Sequence, residues 1–99
     1  MILDTFTLTD KVAIVTGAGQ GIGEAIATAM AEAGACVVLT GRKRATLEAV
    51  AARITDSGGE ALVVPGDVSK RGDHDRIGDA ALDMRGRIDI LVNNAGTNV

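Results

Sequence analysis

The chain alternates short, wholly apolar runs with longer stretches in which apolar residues recur every three or four positions. An unbroken apolar run is typical of a strand covered on both faces, as in a parallel sheet, and the longer spacing is typical of an amphipathic helix. The pattern predicts four strands, at Val12 to Thr16, Ala35 to Thr40, Ala61 to Val64 and Ile88 to Val92.

Three helices are predicted between these strands. The first runs from about Gly21 to Ala33 and ends at Gly34. Its predicted apolar stripe consists of Ile22, Ala25, Ile26, Ala29, Met30 and Ala33. The second helix is marked by Leu47, Val50, Ala51 and Ile54, and the third, which Ser69 can cap, by Ile77, Ala80, Ala81 and Met84. Strands separated by helices of this size imply right-handed crossovers, so we predict an α/β fold with a parallel sheet.

A glycine-rich segment joins the first strand to the first helix. It reads Gly17-Ala18-Gly19-Gln20-Gly21-Ile22-Gly23, which fits G-x-x-x-G-x-G but not G-x-G-x-x-G or the Walker pattern. Glycines allow a tight turn and the close approach of a phosphate, and the first N–H groups of the helix point at that phosphate. The alternative is a tight turn that needs glycine only for packing. Four glycines within seven residues favour a phosphate-bearing ligand.

Composition narrows the classes of partner. The net charge of −3 and the single aromatic residue, Phe6, argue against a nucleic-acid surface. The single cysteine, Cys36, excludes an intrachain disulfide and a cysteine-rich metal site, and we interpret it as a small buried hydrophobe. No apolar run approaches the ~20 residues of a membrane span, and no signal peptide is evident, so we expect no membrane partner and a cytoplasmic protein.

Three motifs occur in order, each where a predicted strand ends. Thr16 to Gly23 is the first, Asp67-Val68 the second and Asn93-Asn94-Ala95-Gly96 the third. Together they resemble the cofactor motifs of the classical short-chain dehydrogenases/reductases, over about Leu8 to Thr97. The resemblance implies a Rossmann-type parallel sheet with helices on both faces and strand order 3-2-1-4, with residues 1–99 forming a single dinucleotide-binding half-domain.

The same resemblance assigns cofactor-binding roles. The glycine turn would hold the pyrophosphate, through Gly17, Ala18, Gly19, Gln20, Gly21, Ile22 and Gly23. Asp67 would contact the adenine amino group and the Val68 N–H the adenine ring. Asn93, Ala95 and Gly96 would lie beside the adjoining ribose.

The end of the second strand indicates which dinucleotide binds. An acid there would hold the ribose 2′-hydroxyl of NAD, and an arginine would bind the 2′-phosphate of NADP. Here Gly41 takes the acid's place, Arg42 follows it, and the next carboxylate is Glu48. The alternative is a solvated basic start of a helix, which the helix dipole disfavours. We expect NADP, with NAD as second choice, although Gln20 stands where some NADP-preferring relatives carry a basic residue.

The catalytic groups that the resemblance implies are a Tyr, a Lys and a Ser beyond the Asn-Asn-Ala-Gly turn. The chain has no tyrosine, so we assign no catalytic residue and expect this segment alone to be inactive. His74 is interpreted as a surface residue. The neighbouring acids are interpreted as a solvated face and not as a metal site; they are Asp73, Asp75, Asp79 and Asp83.

The predicted function is NADP(H)-dependent oxidoreduction of a small carbonyl or alcohol substrate by hydride transfer, with this chain supplying the cofactor half and the catalytic half lying outside it. Two alternatives remain open: a non-catalytic nucleotide-binding or interaction fragment, and an S-adenosylmethionine-binding, methyltransferase-like domain. The apolar strand Ile88 to Val92 is also expected to pair with another polypeptide, either the remaining half of the enzyme or a second copy in a homo-oligomer.

Overall fold

A computed structural model describes residues 7–19, 21–67 and 70–94. Strands and helices alternate along the chain as β1, α1, β2, α2, β3, α3 and β4. The strands are β1 (Val12–Thr16), β2 (Cys36–Thr40), β3 (Glu60–Val63) and β4 (Ile90–Val92). The helices are α1 (Gly21–Glu32), α2 (Arg44–Asp56) and α3 (Arg71–Arg85).

The four strands form one parallel sheet in the order β3-β2-β1-β4. Its two central strands are paired from Val12 with Cys36 to Thr16 with Thr40, and all of their residues are buried. Double burial explains why these strands are apolar throughout instead of alternating. The predicted fold class and strand order are confirmed.

Two apolar cores cover the two faces of the sheet. On one face, Val15, Val37 and Leu39 pack with residues of α1 and α2. On the other face, Ile14 and Val38 pack with Ile77 and Ala81 of α3. The division follows from the two-residue period of strand side chains, and it confirms that helices lie on both faces.

Helix α1 packs on the sheet with a different face from the predicted one. Its buried residues are Gly23, Ala27 and Ala31, whereas Ile22 is 70% exposed. The prediction was therefore wrong for Ile22, and also for Ala25 and Ala29, which are exposed. Small residues at every fourth position let the helix backbone approach the sheet closely, and that contact outweighs the larger side chains in fixing the helix rotation.

Strand β4 starts two residues later than predicted, because Asp89 holds the preceding turn. The Asp89 N–H donates to the Val12 carbonyl (2.9 Å), and the Asp89 carboxylate accepts the Val12 N–H (2.8 Å). Arg87 pairs with the same carboxylate at 2.7 Å, and these contacts hold the pKa of Asp89 below its usual value. Ile88 lies outside the strand and is 40% exposed.

The remaining boundaries differ from the predictions by one residue or a few. Strand β2 begins at Cys36 and β3 spans Glu60–Val63. The N-cap of α3 is Lys70, which forms no side-chain capping bond, and Ser69 lies outside the described residues. In the described ranges, no helix has the length and apolar character needed to cross a bilayer.

Candidate functional site

The carboxyl ends of the four strands meet at one edge of the sheet, and each continues into a segment that the sequence singled out. The glycine turn follows β1, Gly41 and Arg42 follow β2, the segment Pro65 to Asp67 follows β3, and Asn93 and Asn94 follow β4. Ligands of open α/β sheets bind outside this edge. The topology therefore brings the described members of all the predicted motifs to one place.

Backbone geometry explains the glycines of the first turn. Gly17 and Gly21 have positive φ angles of 63° and 59°, a region that side chains disfavour. A Cβ on Gly23 would lie 2.0 Å from the Gly17 carbonyl oxygen, so the first turn of α1 rests directly on the loop. The N–H groups at the start of α1 are thus held next to Gly17, which carries no side chain.

The glycine turn is also fixed to the second strand and the second helix. The Ala18 N–H donates to the Thr40 carbonyl (3.2 Å), and Ala18 is fully buried. A Cβ on Gly19 would lie 2.5 Å from Thr46 Oγ1 in α2. The turn therefore has a fixed backbone, which favours binding because little ordering is required when a ligand arrives.

Thr16 joins the end of β1 to the end of β4. Its hydroxyl donates to the Val92 carbonyl (3.3 Å), lies 3.4 Å from Asn93 Oδ1 and accepts the Asn94 N–H (2.7 Å). The Asn94 side-chain amide donates to the Gly17 carbonyl (3.5 Å). The asparagine pair is thereby tied to the glycine turn.

The end of β2 presents a cation and no acid. Arg42 is exposed and forms no ion pair with the residues that the structure describes, whereas Arg44 pairs with Glu48 at 3.2 Å. A Cβ on Gly41 would make only ordinary contact with Leu47, at 3.4 Å. The glycine is therefore not required by packing at this position, and Arg42 can turn toward a ligand.

The segment after β3 is fixed by α3. The Asp67 N–H donates to the Asp73 carboxylate (2.9 Å), and the Asp67 carbonyl accepts the Lys70 N–H (2.9 Å). The pKa of Asp73 lies below its usual value, mainly because its carboxylate accepts the Asp67 N–H and also because Arg76 is close to it. Asp73, interpreted from the sequence as part of a solvated face, is one-third exposed, and its carboxylate also holds the loop N–H. Its place in the first turn of a helix is compatible with bonding a backbone N–H, but a solvated carboxylate has the same place, so the sequence alone does not separate the two.

Four predicted site residues lie outside the described residues, namely Gln20, Val68, Ala95 and Gly96. Ile22 is at the start of α1, beside the turn, and its exposure leaves it open to a ligand. His74 is exposed next to Asp75, 4.0 Å away. In residues 7–19, 21–67 and 70–94, no three histidine, cysteine, aspartate or glutamate side chains are grouped to hold a metal ion.

Cys36 is buried under α3, with its sulfur 3.4 Å from that of Met84. Burial raises the pKa of the Cys36 thiol, although a hydrogen bond with Arg85 opposes the shift. The thiol is therefore a poor nucleophile, as expected of a small core residue.

These residues fit a phosphorylated dinucleotide. The glycine turn and the start of α1 suit a pyrophosphate, because backbone N–H groups and the positive end of the helix dipole favour an anion. The exposed guanidinium of Arg42, which has no ion-pair partner among the described residues, suits a further phosphate, because it can bind one with two parallel donors. A carboxylate and an amide at the ends of β3 and β4 add directional polar groups.

Comparison with known proteins agrees with this geometry. The family model for short chain dehydrogenases matches residues 11–99. An uncharacterized oxidoreductase of Mycobacterium tuberculosis is 44% identical over 96 residues, which is 97% of this chain and 36% of the relative. An uncharacterized oxidoreductase of Staphylococcus aureus (strain MRSA252) is 48% identical over 89 residues, covering 90% of this chain and 38% of the relative.

Two solved structures share the fold. A hydroxysteroid dehydrogenase from Escherichia coli superimposes with a TM-score of 0.87 at 38% identity, over 91% of this chain and 38% of that protein. A metagenomic short-chain oxidoreductase in complex with NADP gives a TM-score of 0.85 at 44% identity, over 90% of this chain and 40% of that protein. The chain thus spans less than half the length of these relatives. It belongs to the short-chain dehydrogenase family.

Proposed function

We propose that this chain is the cofactor-binding half of an NADP(H)-dependent oxidoreductase that interconverts a small carbonyl compound and an alcohol. The observation that carries the proposal is the sheet edge where a glycine turn at a helix N-terminus adjoins Arg42. This arginine forms no ion pair with the described residues and has no carboxylate next to it in the sequence. The family membership supports nicotinamide dinucleotide chemistry, and one similar protein is described in complex with NADP.

Each segment of the edge has a distinct role in this proposal. The first turn of α1 and residues Gly17 to Gly23 hold the pyrophosphate, and Arg42 holds the 2′-phosphate. Asp67 and Val68 hold the adenine, while Asn93, Ala95 and Gly96 lie beside the adjoining ribose. The bound cofactor would supply or accept the hydride. This chain binds and orients it.

We expect the complete enzyme to bind NADP(H) more tightly than NAD(H). Changing Gly41→Asp together with Arg42→Ala should reverse this order, because a carboxylate repels the 2′-phosphate and a forked contact is lost, at a cost of about 1.5–3 kcal/mol. The space beside Gly41 accepts a Cβ, so the variant is not expected to unfold. Calorimetric titration with both cofactors measures the effect.

Arg44→Ala provides a matched control for this variant. It removes the same kind of side chain two residues away, where the guanidinium is already paired with Glu48. We expect it to leave the preference between the two cofactors unchanged. Equal affinities for NADP and NAD in the unmodified protein, or a preference for NAD, would refute the assignment.

Catalysis itself is proposed to need residues outside this chain. The 99-residue chain contains no tyrosine to act as the family's acid/base, so we expect it to turn over neither ketones nor alcohols with either nicotinamide cofactor. Absorbance at 340 nm, where reduced nicotinamide absorbs, monitors turnover. A rate from this chain alone that survived repurification would contradict the proposal, whereas restored activity on adding a segment with the Tyr and Lys would support it.

A further inference from the structure

Three consecutive residues after β3 are each held by a hydrogen bond from elsewhere in the fold. The Pro65 carbonyl accepts a bond from the Arg76 guanidinium, and the Gly66 N–H donates to the Gly41 carbonyl (2.8 Å). The Asp67 N–H donates to the Asp73 carboxylate at 2.9 Å. Two of the three anchors are therefore side chains from the start of α3.

The two side chains act together. The Arg76 guanidinium also lies 3.4 Å from Asp73 Oδ1. It therefore contacts both the Pro65 carbonyl and the carboxylate that accepts the Asp67 N–H. A Cβ on Gly66 would lie 2.8 Å from the Arg76 guanidinium and 3.4 Å from the Asp73 Cβ. Both side chains thus lie against the loop at Gly66, where the missing side chain leaves room for them.

We propose that Asp73 and Arg76 are positioning residues that orient Asp67 toward the adenine of the bound cofactor. This inference rests on the proposed function, since it takes Asp67 to be the adenine contact. With its N–H held by Asp73 and its carbonyl by Lys70, the backbone of Asp67 is fixed on both sides, which fixes the direction in which its side chain leaves.

The same arrangement links base recognition to the arginine after β2. The hydrogen bond from the Gly66 N–H to the Gly41 carbonyl places the loop that Asp73 and Arg76 hold directly beside Gly41, which precedes Arg42. Displacement of the loop would therefore disturb the adenine and 2′-phosphate contacts together. Asp73 and Arg76 together form a brace for this loop and act on cofactor binding through the two segments. In this proposal the brace has no direct contact with the reacting end of the cofactor.

The test compares NADP with its hypoxanthine analogue, which lacks the adenine amino group, by calorimetric titration of the complete enzyme. The unmodified protein should bind NADP more tightly than the analogue. Asp73→Ala should reduce the ratio of the two affinities, NADP over analogue, about three- to tenfold, because the hydrogen bond between Asp67 and the adenine amino group is weakened. Asp73→Asn retains an acceptor oxygen and should restore most of the ratio, whereas Asp79→Ala, an exposed acid on the same helix, should leave it unchanged.

A merely structural role for Asp73 predicts a different result. It would lower the thermal stability and leave the ratio between the two cofactors as it is, and that outcome overturns the inference. Conversely, in an Asp67→Ala background, Asp73→Ala should have no further effect on the ratio, because the brace acts through Asp67.

Amide exchange gives a readout that needs no cofactor. In the unliganded protein the Asp67 amide should exchange faster in Asp73→Ala than in Asp79→Ala, and unchanged exchange counts against the brace. If Asp73→Ala does not fold, Arg76→Met keeps the side-chain stem without its donors and should lower the same ratio. A protein that binds neither NADP nor NAD contradicts the proposed function, whereas one that binds NADP without discriminating against the analogue overturns only this inference.

Discussion

Thr16 and Thr40 are partners in the register of β1 and β2, but their hydroxyl groups are in opposite situations. Thr16 bonds to the chain after β4, accepting the Asn94 N–H and donating to the Val92 carbonyl. The Thr40 hydroxyl is fully buried and has no hydrogen-bond partner among the described residues. A buried hydroxyl without a hydrogen-bond partner destabilises the fold, whereas a hydroxyl that bridges two strand ends stabilises it.

The same substitution at these two positions should therefore have opposite effects. Thr40→Val keeps the shape of the side chain and removes the unpaired group, so it should stabilise the complete protein by about 1 kcal/mol. Thr16→Val removes the hydroxyl that accepts the Asn94 N–H and donates to the Val92 carbonyl, and should destabilise by about 1–2 kcal/mol. Equilibrium unfolding in urea measures both. Destabilisation by Thr40→Val would mean that the hydroxyl has a partner in solution.

At the same scale, the sequence carries a signal only for residues whose chemistry is local. The glycine turn and Arg42 could be proposed as site residues because their spacing relative to a strand or helix carries that signal. Asp73 could not, since its role depends on a hydrogen bond to Asp67, six residues away, that only the loop geometry creates. A carboxylate in the first turn of a helix reads equally as a solvated charge or a cap.

At the scale of elements, periodicity predicted the four strands and three helices that the described residues form, because double burial and helical spacing leave strong patterns. The order of the strands in the sheet came from the family resemblance and not from periodicity. The rotation of α1 was mispredicted. Its larger apolar residues, Ile22 among them, suggested the buried face, but contact between Gly23 and the Gly17 carbonyl requires the small-residue face to be inward. The start of β4 was missed because Asp89 forms its hydrogen bonds outside the ladder.

Two helical glycines provide a test of this contact. Gly23→Ala would place a Cβ 2.0 Å from the Gly17 carbonyl, so it should destabilise the complete protein by about 1–3 kcal/mol and weaken cofactor binding. Gly78→Ala, in α3, meets nothing within 4 Å and should stabilise by about 0.5–1 kcal/mol, because alanine restricts the unfolded chain and favours the helix. Thermal unfolding and NADP titration measure the pair. A neutral Gly23→Ala would show that α1 does not rest on the turn.

At the scale of the whole molecule, the described fold exposes apolar side chains on β4 and on α1. Leu91 of β4 is 60% exposed, although its register partner Ile14 is buried on the same face of the sheet. Ile22, Ala25 and Ala29 form an exposed apolar flank of α1. In the described part of the chain β4 pairs only with β1, so its other edge has no partner strand there, and Leu91 on this strand is exposed.

An apolar strand with one open edge is a template for pairing with another chain, and its uncovered area costs about 25 cal/mol per Å² left in water. We therefore expect β4 to meet another polypeptide in any ordered state, either the remaining part of the enzyme or a second copy. The 99-residue chain by itself should be partly molten or should associate.

Light scattering gives the mass of the 99-residue chain in solution. Hydrogen exchange reports the protection of the amides from Ile88 to Val92, with the amides of β2 as the internal reference because β2 is paired on both sides. The expectation is supported if, in a monomer, the β2 amides exchange slowly and the β4 amides exchange fast, and if the β4 amides become protected on association. A stable monomer in which the β4 amides are as strongly protected as those of β2 would show that the edge needs no partner.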